Sequence, residues 1–271
     1  MRTSAPVDYD AVSKAFSKQA QHYDSDDYAN PILTDWRKQV YDHVNRFLKP
    51  HSFILELNAG TGIDAVHFVK EGHRVHATDL ADGMVEKIES KITSHSIPLK
   101  LTCQQCSFER LDEVKEKNFD YIFSNFGGLN CVDDLSKVTR YFTSLLKPAG
   151  FVTLVIMPPV CPWEWLWLFK GHGESAFRRL SKGGSNACLE GEIFTTYYHS
   201  FISIKKAMGK NFKAINSESL GLVSPPPSKG MFPVLHPFLY RGLKRIDSAI
   251  AKATPFNRWG DHIIVTFQRT G

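Results

Sequence analysis

A chain of 271 residues, 42% hydrophobic and 23% charged, has the composition of a soluble globular protein with enough apolar side chains for one large core. Five cysteines at irregular spacing, and an N-terminal MRTSAPVDYD without an apolar signal-peptide core, exclude a disulfide scaffold and point to a cytoplasmic protein. The net charge of +5 is uneven: residues 161–271 hold 15 Lys and Arg against 7 Asp and Glu, a bias that is ordinarily a solvated basic face and otherwise suits an anionic substrate or membrane surface.

Val7 to Tyr23 and Ile32 to Leu48 are expected helices. The second opens after Asn30-Pro31 and sets Leu33, Trp36, Val40, Val44 and Phe47 at helical spacing. From residue 52 short apolar runs alternate with helical stretches: SFILEL, a helix from Asp64, RVHATDL, a helix from Gly83, LKLTCQQ, FDYIFSN, a helix from Asp133 and GFVTLVIM. That alternation predicts a parallel sheet with helices on both faces. A helix at Phe201 to Met208, a strand at FKAINSESLGL, a Pro-rich insertion and a last strand, HIIVTFQR, follow. The last two strands leave no room for a helical crossover, so the final one is expected to run antiparallel. The fold class is therefore α/β, doubly wound, with a mostly parallel seven-stranded sheet. Phe151 to Phe169, the most apolar window, is interrupted by Pro158, Pro159, Pro162 and Glu164 and reads as a buried strand and an aromatic loop. The expected organisation is N-terminal helices over 1–50, a cofactor-binding core over 51–160, an aromatic insertion over 161–200, and the end of the sheet over 201–271 with a lid insertion at 225–259.

Ligands of open parallel sheets bind beyond the carboxyl ends of the strands, where the strand order reverses. ILELNAGTGID, Ile54 to Asp64, puts Glu56 near the end of the first strand and crowds Asn58, Gly60 and Gly62 into the turn before a helix. Helix N-terminal amides favour an anionic or polar ligand there, and glycines allow close approach. Asn58 stands where another glycine is expected; asparagine tolerates the left-handed region. Asp79 follows at the end of the second strand, where an acid can accept hydrogen bonds from both hydroxyls of a ribose. A nucleoside cofactor follows. Gly60, Gly62 and Ala65 also satisfy a dinucleotide fingerprint, so a nicotinamide enzyme is weighed as well; against it, Glu56 is unwelcome beside a pyrophosphate and tolerated beside an amino group.

These stretches, with QQCSFERL, FDYIFSNFGGLNCVDDL and LLKPAGFVTLVIM, resemble the class I S-adenosylmethionine-dependent methyltransferases of the small-molecule type. The resemblance implies that Glu56 and the turn residues Asn58, Ala59, Gly60 and Gly62 hold the methionine part of S-adenosyl-L-methionine. It gives Asp79 the ribose hydroxyls, and Leu80 and Met84 one face of the adenine. Ser107 occupies the position of an acid that many relatives direct at the adenine amino group, with Phe108 after it as a backbone donor. Asn125 and Phe126 would lie beside the transferable methyl. FSKQAQHYD, with Phe16 and Tyr23, is similar to relatives in which an N-terminal helix folds over the cofactor. The activity implied is in-line methyl transfer to a small, largely apolar acceptor such as a phenol, quinone precursor, carboxylate or lipid-like intermediate. A NAD-dependent oxidoreductase and a noncatalytic nucleoside-binding module are the alternatives.

Substrate contacts are expected from the aromatic run after the fifth strand, Trp163, Trp165, Trp167 and Phe169, from Tyr198, and from Trp259 at the start of the last strand. His199 and His262 are the general-base candidates. Cys103 and Cys106 form a lone C-x-x-C without a second pair at zinc spacing, so no metal is expected, and no nucleic-acid-binding module accompanies the basic half. Phe238 to Ala253 sets Leu239, Leu243, Ile246 and Ile250 on one helical face and Arg241, Lys244, Arg245 and Lys252 elsewhere. Such a basic amphipathic helix suits a lid on the site or a contact with an anionic membrane surface.

Overall fold

In the computed structural model, which describes residues 7–94, 100–166, 168, 171, 173–181 and 183–271, the alternating runs become a seven-stranded sheet and a separate hairpin. In chain order the strands are β1 Phe53–Leu57, β2 Arg74–Asp79, β3 Leu101–Gln105, β4 Phe119–Ser124, β5 Leu146–Ile156, β6 Ser185–Leu189, β7 Glu192–Thr196, β8 Phe212–Leu220 and β9 His262–Arg269. The sheet order is β3-β2-β1-β4-β5-β9-β8, and β6 with β7 forms the hairpin. Strands β1 to β5 pair in parallel, whereas β9 runs antiparallel to both β5 and β8, as its sequence context predicts. Leu99, expected to open the third strand, lies outside the described residues.

The helices are α1 Tyr9–Gln19, α2 Tyr23–Ala29, α3 Pro31–Val44, α4 Ile63–Lys70, α5 Asp82–Ser94, α6 Ser136–Thr139, α7 Phe142–Leu145, α8 Pro162–Trp165, α9 Gly173–Phe177, α10 Phe201–Met208, α11 Phe232–Leu235 and α12 Pro237–Ile250. The expected first helix, Val7 to Tyr23, is thus α1 alone, which ends at Gln19, and a second helix, α2, begins at Tyr23. α3 begins where the sequence signals it, with Asn30 accepting the Ile32 amide at 3.1 Å and Pro31 in the first turn. The helix expected from Asp133 starts later, because Asp134 accepts the Ser136 amide at 2.9 Å, and it is divided into α6 and α7.

Period-two alternation sends the sheet's apolar side chains into two cores. Leu55, Leu57, Val152, Leu154, Ile263, Val265 and Phe267 pack with α1, α6, α7 and α10 on one face. Ile54, Val75, Tyr121, Phe123, Val155 and Ile264 pack with α3 and α4 and with Ile88 of α5 on the other. Helices on both faces leave the carboxyl ends of the parallel strands as the open edge. No helix among the described residues is long and apolar enough to cross a membrane.

Candidate active site

The strand order reverses at β1 and β4, and a cavity of about 220 Å³ opens beyond their carboxyl ends. The turn after β1 is shaped for backbone approach, with Asn58, Gly60 and Gly62 at φ of 45°, 56° and 82°. A Cβ on Gly60 would project into open space, whereas one on Gly62 would meet Ile88 Cγ1 at 3.0 Å. The first glycine therefore leaves room for a ligand and the second allows helix packing. Asn58 replaces a glycine by bridging the strand ends: its Nδ2 donates to the Asn125 carbonyl at 2.9 Å, and its Oδ1 accepts from the Ser124 hydroxyl. A Cβ at Gly128 would lie 2.3 Å from Asn58 Cγ, so these two positions require each other.

Asp79 ends β2 beside this turn. Its Oδ2 accepts the Gly60 amide at 2.8 Å and its Oδ1 the Ala81 amide at 2.9 Å, which leaves each oxygen a further lone pair at the cavity it lines. Burial pushes its carboxyl up to about 6 in spite of those amides. Glu56 is 1% exposed, and its Oε2 has no hydrogen-bond partner. Burial, and then nearby Asp64, pushes the Glu56 carboxyl well above the usual carboxylate range, with Arg37 opposing. A buried, unpartnered carboxylate oxygen is what the ammonium of a ligand would satisfy.

Beside Glu56 lies a cluster that the linear sequence does not announce, because its members come from separate elements. Arg37 of α3 is buried and pairs with Asp27 at 2.6 Å and with Asp64. Asp64 also accepts hydrogen bonds from the Tyr41 hydroxyl and, at 2.8 Å, from Asn125 Nδ2. Burial raises the Asp64 carboxyl, but Arg37 and these donors outweigh it and hold it below its usual range. Arg37 also lies 4.9 Å from the Phe126 ring centre, so the cluster reaches the cavity wall.

Two elements cover the cavity. α1 packs on α5 so closely that a Cβ on Gly83 would lie 2.7 Å from the Ser17 carbonyl oxygen, and Ser17 Oγ donates to Asp82. The hairpin supplies Phe194 and Thr196, with Phe194 and Phe16 ring centres 5.9 Å apart. Its sequence signal is Glu190-Gly191, both at positive φ, between two short strand-forming runs.

Of the residues the resemblance singles out, Phe16, Tyr23, Asn58, Gly60, Asp79, Leu80, Met84, Phe108, Asn125 and Phe126 line the cavity. Glu56, Ala59 and Gly62 are not in its wall, and Ser107 serves as a cap, accepting the Glu109 amide at 3.3 Å. Gly127 and Met157, at the carboxyl ends of β4 and β5 where the topology places a ligand, extend the wall, and Gly128 and Cys131 extend it without having been anticipated. Neither histidine lines the cavity, but His262 packs behind its wall: its Nε2 lies 3.2 Å from where a Cβ on Gly127 would stand. Both ring nitrogens are buried without a hydrogen bond, although Nδ1 lies 2.9 Å from Asp261 Oδ2; that contact is an ion-pair approach outside hydrogen-bond geometry. Asp261 pairs with Arg179 at 2.6 Å, and Arg179 with Glu164 at 2.8 Å. Burial opposes ionisation of Asp261, but Arg179 and His262 hold its carboxyl far below the usual range. His199 is buried outside the wall, its Nε2 against the Val132 carbonyl at 2.9 Å, and burial lowers its pKa; it is a structural link.

The aromatic candidates lie elsewhere. Trp163 meets Phe232 edge-on at 6.4 Å, Trp165 is partly exposed, Tyr198 bonds to Ser185, and Trp259 packs against Phe256. None of the four lines the cavity, and Trp167 and Phe169 lie outside the described residues. Insertion 225–259 contributes no described residue to the wall either; Tyr240 and Lys244 tie it to Asp35 of α3. Cys161, Glu164 and Asp261 bring donor atoms within 4.8 Å of one another, but Arg179 bridges both carboxylates and supplies the positive charge an ion would bring. Burial pushes the Cys106 thiol up to about 11, away from the thiolate a metal takes.

Residues 54–150 match the family described as methyltransferase domain. Over 118 residues, 39% of its length, the chain is 30% identical to a polyketide synthase-nonribosomal peptide synthetase of Aspergillus clavatus, and it spans 3% of that relative. The fold is shared with 1,6-didemethyltoxoflavin-N1-methyltransferase of Burkholderia thailandensis, solved with 1,6-didemethyltoxoflavin and S-adenosylhomocysteine: TM-score 0.59, 15% identity, 99% of this chain and 94% of that one. It is shared also with geranyl diphosphate C-methyltransferase of Streptomyces coelicolor A3(2), solved with Mg2+, geranyl diphosphate and S-adenosyl-L-homocysteine: TM-score 0.56, 11% identity, 86% of this chain and 80% of that one.

Proposed function

We propose, because residues 54–150 match the methyltransferase domain family and the chain has the fold of solved methyltransferases, that it moves a methyl group from S-adenosylmethionine to a small, largely apolar acceptor such as a phenol, quinone precursor, carboxylate or lipid-like intermediate. The observation that carries this reading is Asp79 beside the open turn at Gly60, lining the cavity with a free lone pair on each oxygen for a ribose. Glu56, on the strand that leads into the same turn, keeps a buried Oε2 without a partner outside the cavity wall. The bound donor supplies an electrophilic methyl on a sulfonium. What the chain supplies is alignment and exclusion of water, the main needs of an in-line displacement. α1 and β7 cover the cavity, and Phe126, Cys131, Met157 and Phe194 give it apolar surface suited to an apolar acceptor. For an acceptor hydroxyl the general base of this reading is His262, packed against Gly127 of the wall, with Asp261, held by Arg179, 2.9 Å from its Nδ1.

The test is release of S-adenosylhomocysteine in the presence of phenols, hydroquinones and aromatic or fatty carboxylates. Turnover is expected with at least one. Donor binding without turnover on any of them would favour a noncatalytic module. On a hydroxyl acceptor, His262→Ala is expected to lower kcat about 100-fold or more while leaving donor affinity unchanged.

A further inference from the structure

We propose that α11 and α12 form a docking face for an anionic membrane surface. This goes beyond the methyl-transfer reading and does not depend on it. Phe238, Leu239 and Ile246 recur at spacings that place them on one side of the α12 helix, with exposures of 81%, 55% and 49%, and Leu235 at the end of α11 is 66% exposed. Met231 and Val234, each 62% exposed, continue the apolar surface through α11. These are not core residues left uncovered, because α12 already buries another side. Tyr240 is 5% exposed and donates to Asp35 at 2.9 Å, and Asp247 accepts the Val223 and Ser224 amides at 2.8 and 3.1 Å.

The flank of the apolar strip is basic. Arg241, Lys244, Arg245 and Ser248 line a shallow surface pocket of about 340 Å³. The Arg241 guanidinium lies 4.7 Å from the Phe238 ring centre, at the border between the two strips. Lys244 pairs with Asp35 at 2.6 Å, and Lys252 approaches Glu218 at 3.8 Å with most of its side chain exposed. Residues 231–252 hold four cations and one acid, Asp247, and that acid is engaged by backbone amides. An apolar strip edged by arginines is the geometry of a helix lying in the plane of a bilayer interface, apolar side chains among acyl chains and guanidiniums at phosphates. Charge selects this occupant over a second copy of the chain. A copy would bring a like-charged face into contact, whereas anionic lipid neutralises the strip.

Co-sedimentation of the full chain with vesicles tests the proposal. Binding is expected to vesicles of phosphatidylcholine with phosphatidylglycerol, to weaken in high salt, and to be much lower with phosphatidylcholine alone. Arg241→Glu with Arg245→Glu is expected to reduce partitioning roughly 30-fold or more, and Phe238→Asp with Leu239→Asp to abolish it. All four residues are exposed, so unchanged thermal unfolding will show that the variants remain folded. Equal binding to neutral and anionic vesicles, binding unaffected by these variants, binding of inorganic phosphate without vesicle binding, or self-association abolished by Phe238→Asp would each overturn it.

Discussion

Asp79 joins two demands in one carboxylate: it organises the turn through two amides and offers lone pairs to a ligand. Its value of about 6 in the fold lies above the ordinary 3.8. Between those values the unfolded chain has released a proton that the folded chain keeps, so this group makes stability fall as pH rises through the window. Donor binding runs the other way, because ribose hydroxyls donate to the ionised form. Calorimetry is expected to show affinity falling by up to about tenfold per pH unit below about pH 6, a dependence that Asp79→Asn removes. Glu56→Gln separates binding from stability. Removing a buried carboxyl that has no partner for one oxygen should leave thermal stability equal or higher while weakening donor affinity about tenfold or more, as measured by unfolding and titration in parallel. The place of Asp79 beside the turn was legible in the sequence because its offset from the strand end and the glycines is local. Arg37 was not, since it meets Asp27, Asp64 and Phe126 only after three helices and β4 converge.

At the scale of elements, the cover depends on one close approach. A Cβ at Gly83 would fall 2.7 Å from a backbone oxygen of α1, so Gly83→Ala must displace that helix. The expected result is faster hydrogen exchange over α1 and a donor affinity lowered about tenfold, with the sheet's protection unchanged. The strands were legible as runs bounded by turn residues, and the antiparallel β9 from the absence of a crossover. The hairpin was missed because tryptophans dominate the segment before it, although Glu190-Gly191 marked the turn. The expectation of a lid at 225–259 rests on an amphipathic helix in an insertion that leaves and re-enters the sheet on the site's side. Amphipathicity shows that a helix has two faces without showing what covers either one, and this insertion packs on α3 while β7 closes the cavity.

At the scale of the molecule, the doubly wound order brings the first strand's turn, the second strand's acid and the fourth strand's end to one edge, with helices on both faces to bury the sheet. The buried Arg37 cluster ties the N-terminal helices to that edge. Arg37→Ala leaves two buried carboxylates without their cation and is expected to destabilise the fold by about 3–5 kcal/mol, read from denaturant unfolding. The site's location, including Met157 at the end of β5, was legible from topology, whereas Phe194 and Cys131 reach the cavity through connections that no local pattern encodes. The central claim is that this edge holds a sulfonium nucleoside. Calorimetric titration of the purified chain with S-adenosylmethionine, S-adenosylhomocysteine and NADH tests it most directly. Saturable binding of the first two without the third is the predicted result; binding of NADH alone, or of none of the three, would contradict it.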